Sequence, residues 1–198
     1  MICLAVVCLL GIAFLLIPPL FFRAYPQNLN DVIMLLRTID QRELEDLSSE
    51  VIEENLRTSL SRNRFKLEQR RRALLLFEYL RRMSFNSWVL LAWAYREQRS
   101  VQIAAAADAV SIHIEEVLAA GTSFRIHSLI ILTRLSIQIF LNRLRIAPLP
   151  KPGRLLRIAE TDGLSIYREL TEASAKLAAC DGPDAPNRLT AALFGKSA

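Results

Sequence analysis

The sequence predicts an all-α protein: an N-terminal single transmembrane helix followed by an antiparallel helical bundle. Three observations predict it. No proline or glycine occurs from Gln27 to Ala120, a run of 94 residues, and these two residues are the strongest breakers of regular structure. Apolar residues recur there and beyond in steps of 3 and 4, the spacing that keeps side chains on one face of a helix. Residues 2–22 contain no charged side chain.

That first segment reads as a membrane anchor. Ile2 to Ile17 is an unbroken apolar run, interrupted by Pro18 and Pro19. Sixteen helical residues span roughly 24 Å, short of the roughly 30 Å hydrocarbon core, so Leu20, Phe21 and Phe22 supply the rest. Arg23 and Tyr25 follow, a cation and an aromatic where a membrane interface favours them. A cleaved signal peptide needs a basic start and small residues before the cut, and neither pattern is present. Arg23, Arg37 and Arg42 lie on the C-terminal side of the anchor. The positive-inside rule then predicts a single-pass membrane protein with its soluble part in the cytoplasm.

After the anchor and interfacial segment, residues 1–26, the main helical bundle is expected over residues 27–147. Asn28 or Asn30 can cap a helix carrying Val32, Ile33, Leu36 and Ile39. Asp40 with Glu43 three positions on is a capping-box-like restart. Leu44, Leu47 and Val51 continue it, with a break expected at Ser48-Ser49. A long helix then runs from Arg62, its seam formed by Phe77, Leu80, Ser84, Trp88, Leu91 and Tyr95. The polar stretch Met83 to Ser87 predicts a bend or restart.

Ile103, Ala107, Val110, Ile114 and Val117 form the next stripe, and Gly121 stands where a helix-ending glycine is expected. Thr122 or Ser123 can cap a further helix carrying Ile126, Ile130, Thr133, Ile137, Phe140 and Leu144. Two such helices, 101–120 and 123–146, make an antiparallel hairpin. Burial is expected at Trp88, Leu91, Val110, Ile114, Ile130 and Ile137. Leu129 to Leu141 is apolar enough to raise a second membrane span. Arg134 and Gln138 interrupt it, which favours a buried amphipathic helix. Residues 148–153 form a Pro-rich connector. Residues 154–198 are expected to hold a C-terminal helix, with Leu164, Tyr167, Leu170, Ser174 and Leu177 on one face, and a flexible tail in which Arg188 to Phe194 forms at most a short, fraying helix.

The chemistry-bearing residues are few. The three cysteines, at positions 3, 8 and 180, make neither a disulfide framework nor a metal quartet. His113 and His127 are the only histidines. His113 has Glu116 one turn on, but repeated Glu-x-x-His pairs of a bundle metal site are absent. No nucleophile elbow or phosphate-cradling glycine loop occurs. The sequence therefore names no catalytic residue, no cofactor and no metal, and points away from any recognisable enzyme.

The strongest feature is a basic cluster: Arg62, Lys66, Arg70, Arg71 and Arg72. Such a helix attracts anionic lipid near a membrane, and these residues are the candidate anionic-partner patch. Immediately upstream, residues 40–54 carry seven acids against Arg42, net −6, while residues 57–82 carry net +7. Two adjacent helices of opposite sign can also neutralise one another, the simplest account of the pattern. A net charge of +5 attracts anionic surfaces weakly and names no partner; with the acidic segment beside the basic one, nucleic acid is not expected.

Trp88, Leu91, Ala92 and Tyr95 resemble the first helix of a tetratricopeptide repeat, and Ala104 fits the next small position. The resemblance covers about 30 residues once, where repeat folds need about three copies. Asp108, Ser111 and Glu116 depart from the pattern, so no peptide-binding role is carried over. The expected function is a membrane-anchored helical interaction or scaffold protein. It contacts the bilayer through residues 2–22 and engages another protein or anionic lipid. The alternative is a membrane-surface regulator that binds anionic lipid through the polybasic helix.

Overall fold

The computed structural model describes residues 26, 28–104, 108–144, 146, 157–158 and 161–195. Seven helices lie among them: α1 Leu29–Leu35, α2 Gln41–Ser48, α3 Glu50–Ser59, α4 Arg62–Ala104, α5 Asp108–Arg143, α6 Gly163–Ala179 and α7 Ala185–Phe194. The two-residue strands β1, Arg157–Ile158, and β2, Thr161–Asp162, pair antiparallel ahead of α6.

The short helices start where the sequence supplies caps. Asn28 accepts from the Asp31 N–H at 2.9 Å, and Asp40 from the Glu43 N–H at 3.0 Å. Each satisfies a donor that the first turn leaves without a helical partner. Ser49 ends α2 and caps α3, accepting from the Ile52 N–H at 3.4 Å. The break expected at Ser48-Ser49 is thus this cap.

The long helix does not break at Met83 to Ser87. Ser87 donates back to the Ser84 carbonyl at 2.8 Å, and the buried Asn86 amide is used by other elements. Both polar side chains are satisfied without opening the helix. The buried face of α4 runs through Ala73, Leu76, Leu80, Met83, Ser87, Leu90 and Ala94. The expected seam is rotated from it: Leu80 and Leu91 are buried, Trp88 is half-buried and Tyr95 is exposed.

The expected fold order needs correction. Residues 2–22 lie outside the described residues. Among the described residues, the one helix long and apolar enough to cross a membrane is internal, Val110–Arg143 in α5. It is not an N-terminal span placed ahead of a bundle, because it packs along α4 and α6 and is part of the bundle. A helix that buries one apolar face in a bundle and keeps a second outside passes the same length-and-composition test as a membrane span.

The expected hairpin of 101–120 and 123–146 is also corrected. Residues 108–143 form one helix, and the hairpin is α4 against α5. Gly121 does not end a helix. It is buried mid-helix, and a Cβ there would lie 2.7 Å from Cγ and Cδ2 of Leu91. Its missing side chain lets the α4 and α5 backbones approach, so the residue that looked like a stop is a close-packing site. The inner face of α5 is Ile114, Val117, Gly121, Phe124, Ser128, Ile131 and Leu135.

The C-terminal helices close the core. On the expected face of α6, Tyr167, Leu170, Ser174 and Leu177 are buried and Leu164 is half-buried, and the Phe124 and Tyr167 rings meet at 5.0 Å. The short terminal helix expected at Arg188 to Phe194 is present as α7, and it docks where fraying was expected. Leu189 and Leu193 of α7 are buried, and the Leu193 carbonyl accepts from the Ile39 N–H at 2.8 Å. The Pro-rich connector, residues 148–153, lies outside the described residues.

Gly121→Ala should lower stability by about 1–3 kcal/mol through overpacking, although alanine raises helix propensity by up to about 1 kcal/mol. Pairing it with Leu91→Ala should lose less than the sum of the two single variants, because the methyl then enters the space Leu91 leaves. Urea denaturation of the four proteins in the cycle measures this.

Candidate functional site

The basic cluster divides in the structure. Arg62, Lys66, Arg70 and Arg71 are exposed along the start of α4. Arg72 is buried, at 5% exposure. Its Nη2 donates to the carbonyl oxygens of Asp46 and Leu47, each at 2.9 Å. These carbonyls lie in the last turn of α2, which leaves acceptors without helical donors and carries the negative end of the helix dipole. The Arg72 contact joining the acidic and basic segments is therefore a guanidinium on backbone oxygens.

The side chains of α2 find other partners. Glu45 pairs with Arg168 of α6 at 2.6 Å, an exposed bridge. Glu43 accepts from the hydroxyl of the buried Tyr79 on α4. Burial and then the adjacent Glu43 carboxylate push the Tyr79 hydroxyl up to about 12.

His113 and Glu116 do share a helical face. His113 Nδ1 lies 3.5 Å from Glu116 Oε2, and Lys176 Nζ of α6 lies 3.3 Å from the same oxygen. Arg134 is not with them; it stands 18 residues on, roughly 27 Å along the helix. The open groove beside Glu116 is lined by Glu169, Glu172, Ser123 and Lys176. Among the described residues, no three His, Cys, Asp or Glu side chains sit close enough to hold a metal ion.

The feature that sequence reasoning assigned wrongly is the outer face of α5. Ile126, Ile130, Ile137, Phe140 and Leu144 are between 38% and 59% exposed, whereas burial was expected at Ile130 and Ile137. At about 100° per residue these five and Thr133 project within about 40° of one direction. The buried residues Val117, Gly121, Phe124, Ser128, Ile131 and Leu135 project in the opposite one. The helix has two apolar faces, one against the bundle and one without a described neighbour. The signal lay in the sequence: from Leu129 to Leu141 apolar residues occupy nearly the whole circumference, as in helices buried on all sides or in contact with lipid.

No protein-family model matches the chain, and no curated protein or solved structure matches it either.

Two substitution experiments follow from the α2–α4 contacts. Arg72→Met takes a donor from the Leu47 carbonyl and leaves the Asp46 carbonyl with the Ser49 N–H at 3.3 Å, and should cost about 1–3 kcal/mol in urea denaturation. The exposed Arg70→Met and Arg71→Met should each stay within about 0.5 kcal/mol. Tyr79 sets a pH dependence. Its folded pKa is above the unfolded value, so folding favours the protonated phenol. That stabilisation is complete below about pH 10 and is lost as the pH rises from 10 toward 12. Stability measured across this window should fall more steeply for the wild type than for Tyr79→Phe.

Proposed function

We propose that the protein is a membrane-associated helical interaction protein, held at the bilayer surface by the outer face of α5. The observation that supports this most directly is the row Ile126, Ile130, Ile137, Phe140 and Leu144, apolar and exposed on a single helix of a folded bundle. Exposed contiguous apolar surface marks interaction sites. An amphipathic helix lying in the interface buries such a face among headgroups and upper acyl chains.

Lying flat fits the bundle better than crossing. The inner face of α5 is occupied by α4 and α6. These neighbours expose Arg70, Arg71, Arg81, Arg168, Glu169, Glu172 and Lys176. A crossing α5 would draw those charges into hydrocarbon, at about 2.5–3.5 kcal/mol per central charge. A flat α5 leaves them in water, where the charged surfaces of α4 and α6 remain accessible to a protein partner. This is the scaffold part of the reading. The exposed residues Arg62, Lys66, Arg70 and Arg71 support a second reading, electrostatic attachment through the start of α4.

The full chain should co-sediment with lipid vesicles. Ile130→Asp with Phe140→Asp should reduce binding at least about a hundredfold, since each large apolar side chain contributes about 1.5–3 kcal/mol on leaving water. Circular dichroism and the melting temperature should stay close to wild type, because both positions face outward. Undiminished vesicle binding by that folded variant would remove the reading.

A further inference from the structure

The outer face of α5 is bordered by arginines on both sides. Taking the centre of the apolar row as reference, Arg125 and Arg143 project about 100° to one side and Arg134 about 80° to the other. Arg134 and Arg143 are exposed, and Arg125 is half-buried. The chain contains no aspartate or glutamate from residue 117 to 159, while seven cations fall in that interval. The face is thus an apolar strip with cationic edges; the acidic residues closest to it lie beyond its start, Glu115 and Glu116 on α5 and Glu169 and Glu172 of α6 in the groove with Ser123.

From this arrangement we infer that α5 takes an anionic lipid surface, with Arg125, Arg134 and Arg143 engaging headgroup phosphates while the row from Ile126 to Leu144 enters the acyl boundary. The inference rests on the membrane-surface reading above and names the lipid class. Long arginine side chains at the edge of an apolar strip keep their guanidinium groups at headgroup level while their stems cover apolar surface. The planar guanidinium matches phosphate geometry in two-point hydrogen bonds.

The same charges argue against a second copy as the occupant. In a two-fold pairing of this face, the arginine edges of one helix would meet those of the other, and the strip supplies no carboxylate to neutralise them. An anionic bilayer supplies the opposite charge along the whole strip. The start of α4 lies at the same end of the hairpin. Leu91 meets Gly121, so in the antiparallel pair Arg70 and Arg71 fall level with the last turns of α5. These exposed cations add to the field there.

The experiment uses the full chain, vesicles of phosphatidylcholine alone, and vesicles of equal parts phosphatidylcholine and phosphatidylserine. Binding should be much tighter to the second kind and should weaken with added salt. Arg134→Gln with Arg143→Gln should weaken binding to the anionic vesicles about thirtyfold, from the contribution expected of two cations near an anionic surface. The charge-keeping pair Arg134→Lys with Arg143→Lys should retain most of it. Equal binding to both vesicles, unchanged by the glutamine pair, would overturn this inference and leave the apolar attachment standing. No binding to either vesicle would overturn both. Loss of binding with Arg62→Gln, Arg70→Gln and Arg71→Gln, but not with the glutamine pair on α5, would move lipid recognition to the start of α4 and overturn the assignment. A wild-type dimer in sedimentation that Ile137→Asp makes monomeric, with no vesicle binding, would identify a second copy as the occupant.

Discussion

The bundle is tied together at the buried amide of Asn86. Its Oδ1 accepts from the Arg37 N–H and its Nδ2 donates to the Arg37 carbonyl, both at 2.8 Å. One side chain thereby pairs with both backbone groups of a residue 49 positions away, as a neighbouring strand would. The same Nδ2 donates to the Tyr167 hydroxyl at 3.1 Å. Asn86 is fully buried, so an unpaired amide there would be costly and the full set of partners specifies one arrangement. The connector from α1 to α2 is held at Arg37 by Asn86 and at Ile39 by α7. The Arg37 guanidinium also lies 4.3 Å from the centre of the Phe85 ring. Four regions distant in sequence therefore meet around a polar group in the middle of the longest helix. Burial holds the Tyr167 hydroxyl well above its usual range, with the Asn86 bond a smaller opposing effect.

Around that tie, α4 and α5 supply the main packing surface, and Gly121 sets how closely they approach. The core then needs only one face of α5. Its opposite face is as apolar as the buried one, which propensity and stability do not require. A soluble bundle is served by polar residues at such positions. Five large apolar residues are exposed there, with Arg134 and Arg143 exposed at the edges of the row.

Glu54 of the acidic segment pairs with Arg57 of the basic one at 3.9 Å, while Arg72, Glu43 and Glu45 find partners of other kinds. Opposite net charges on residues 40–54 and 57–82 invite a picture of carboxylates facing guanidinium groups. At Arg72 the contact is with carbonyl oxygens at the end of α2, while Glu43 and Glu45 turn to Tyr79 and Arg168. Helix-end carbonyls are obligatory acceptors, and a buried guanidinium satisfies two at once. Exposed ion pairs contribute little by comparison. One arginine of the cluster is thereby taken from the surface, and its exposed neighbours keep their charge for solvent or for a partner.

Local chemistry was enough to determine much of this protein. The run without proline or glycine, the caps at Asn28, Asp40 and Ser49, and the spacing from Tyr167 to Leu177 all act within one or two turns, so they are legible along the chain. The face that α5 buries was decided only in three dimensions. Two apolar stripes on one helix have the same period, and periodicity alone cannot choose between them. The choice fell to Gly121, whose lack of a side chain admits Leu91, and to Phe124, which meets Tyr167. The same limit explains Asn86 and Arg72. A polar residue in a helix looks like a bend or a surface charge until its distant partner is known. Such a partner, 25 to 81 positions away here, is brought near only by the packing of the whole bundle.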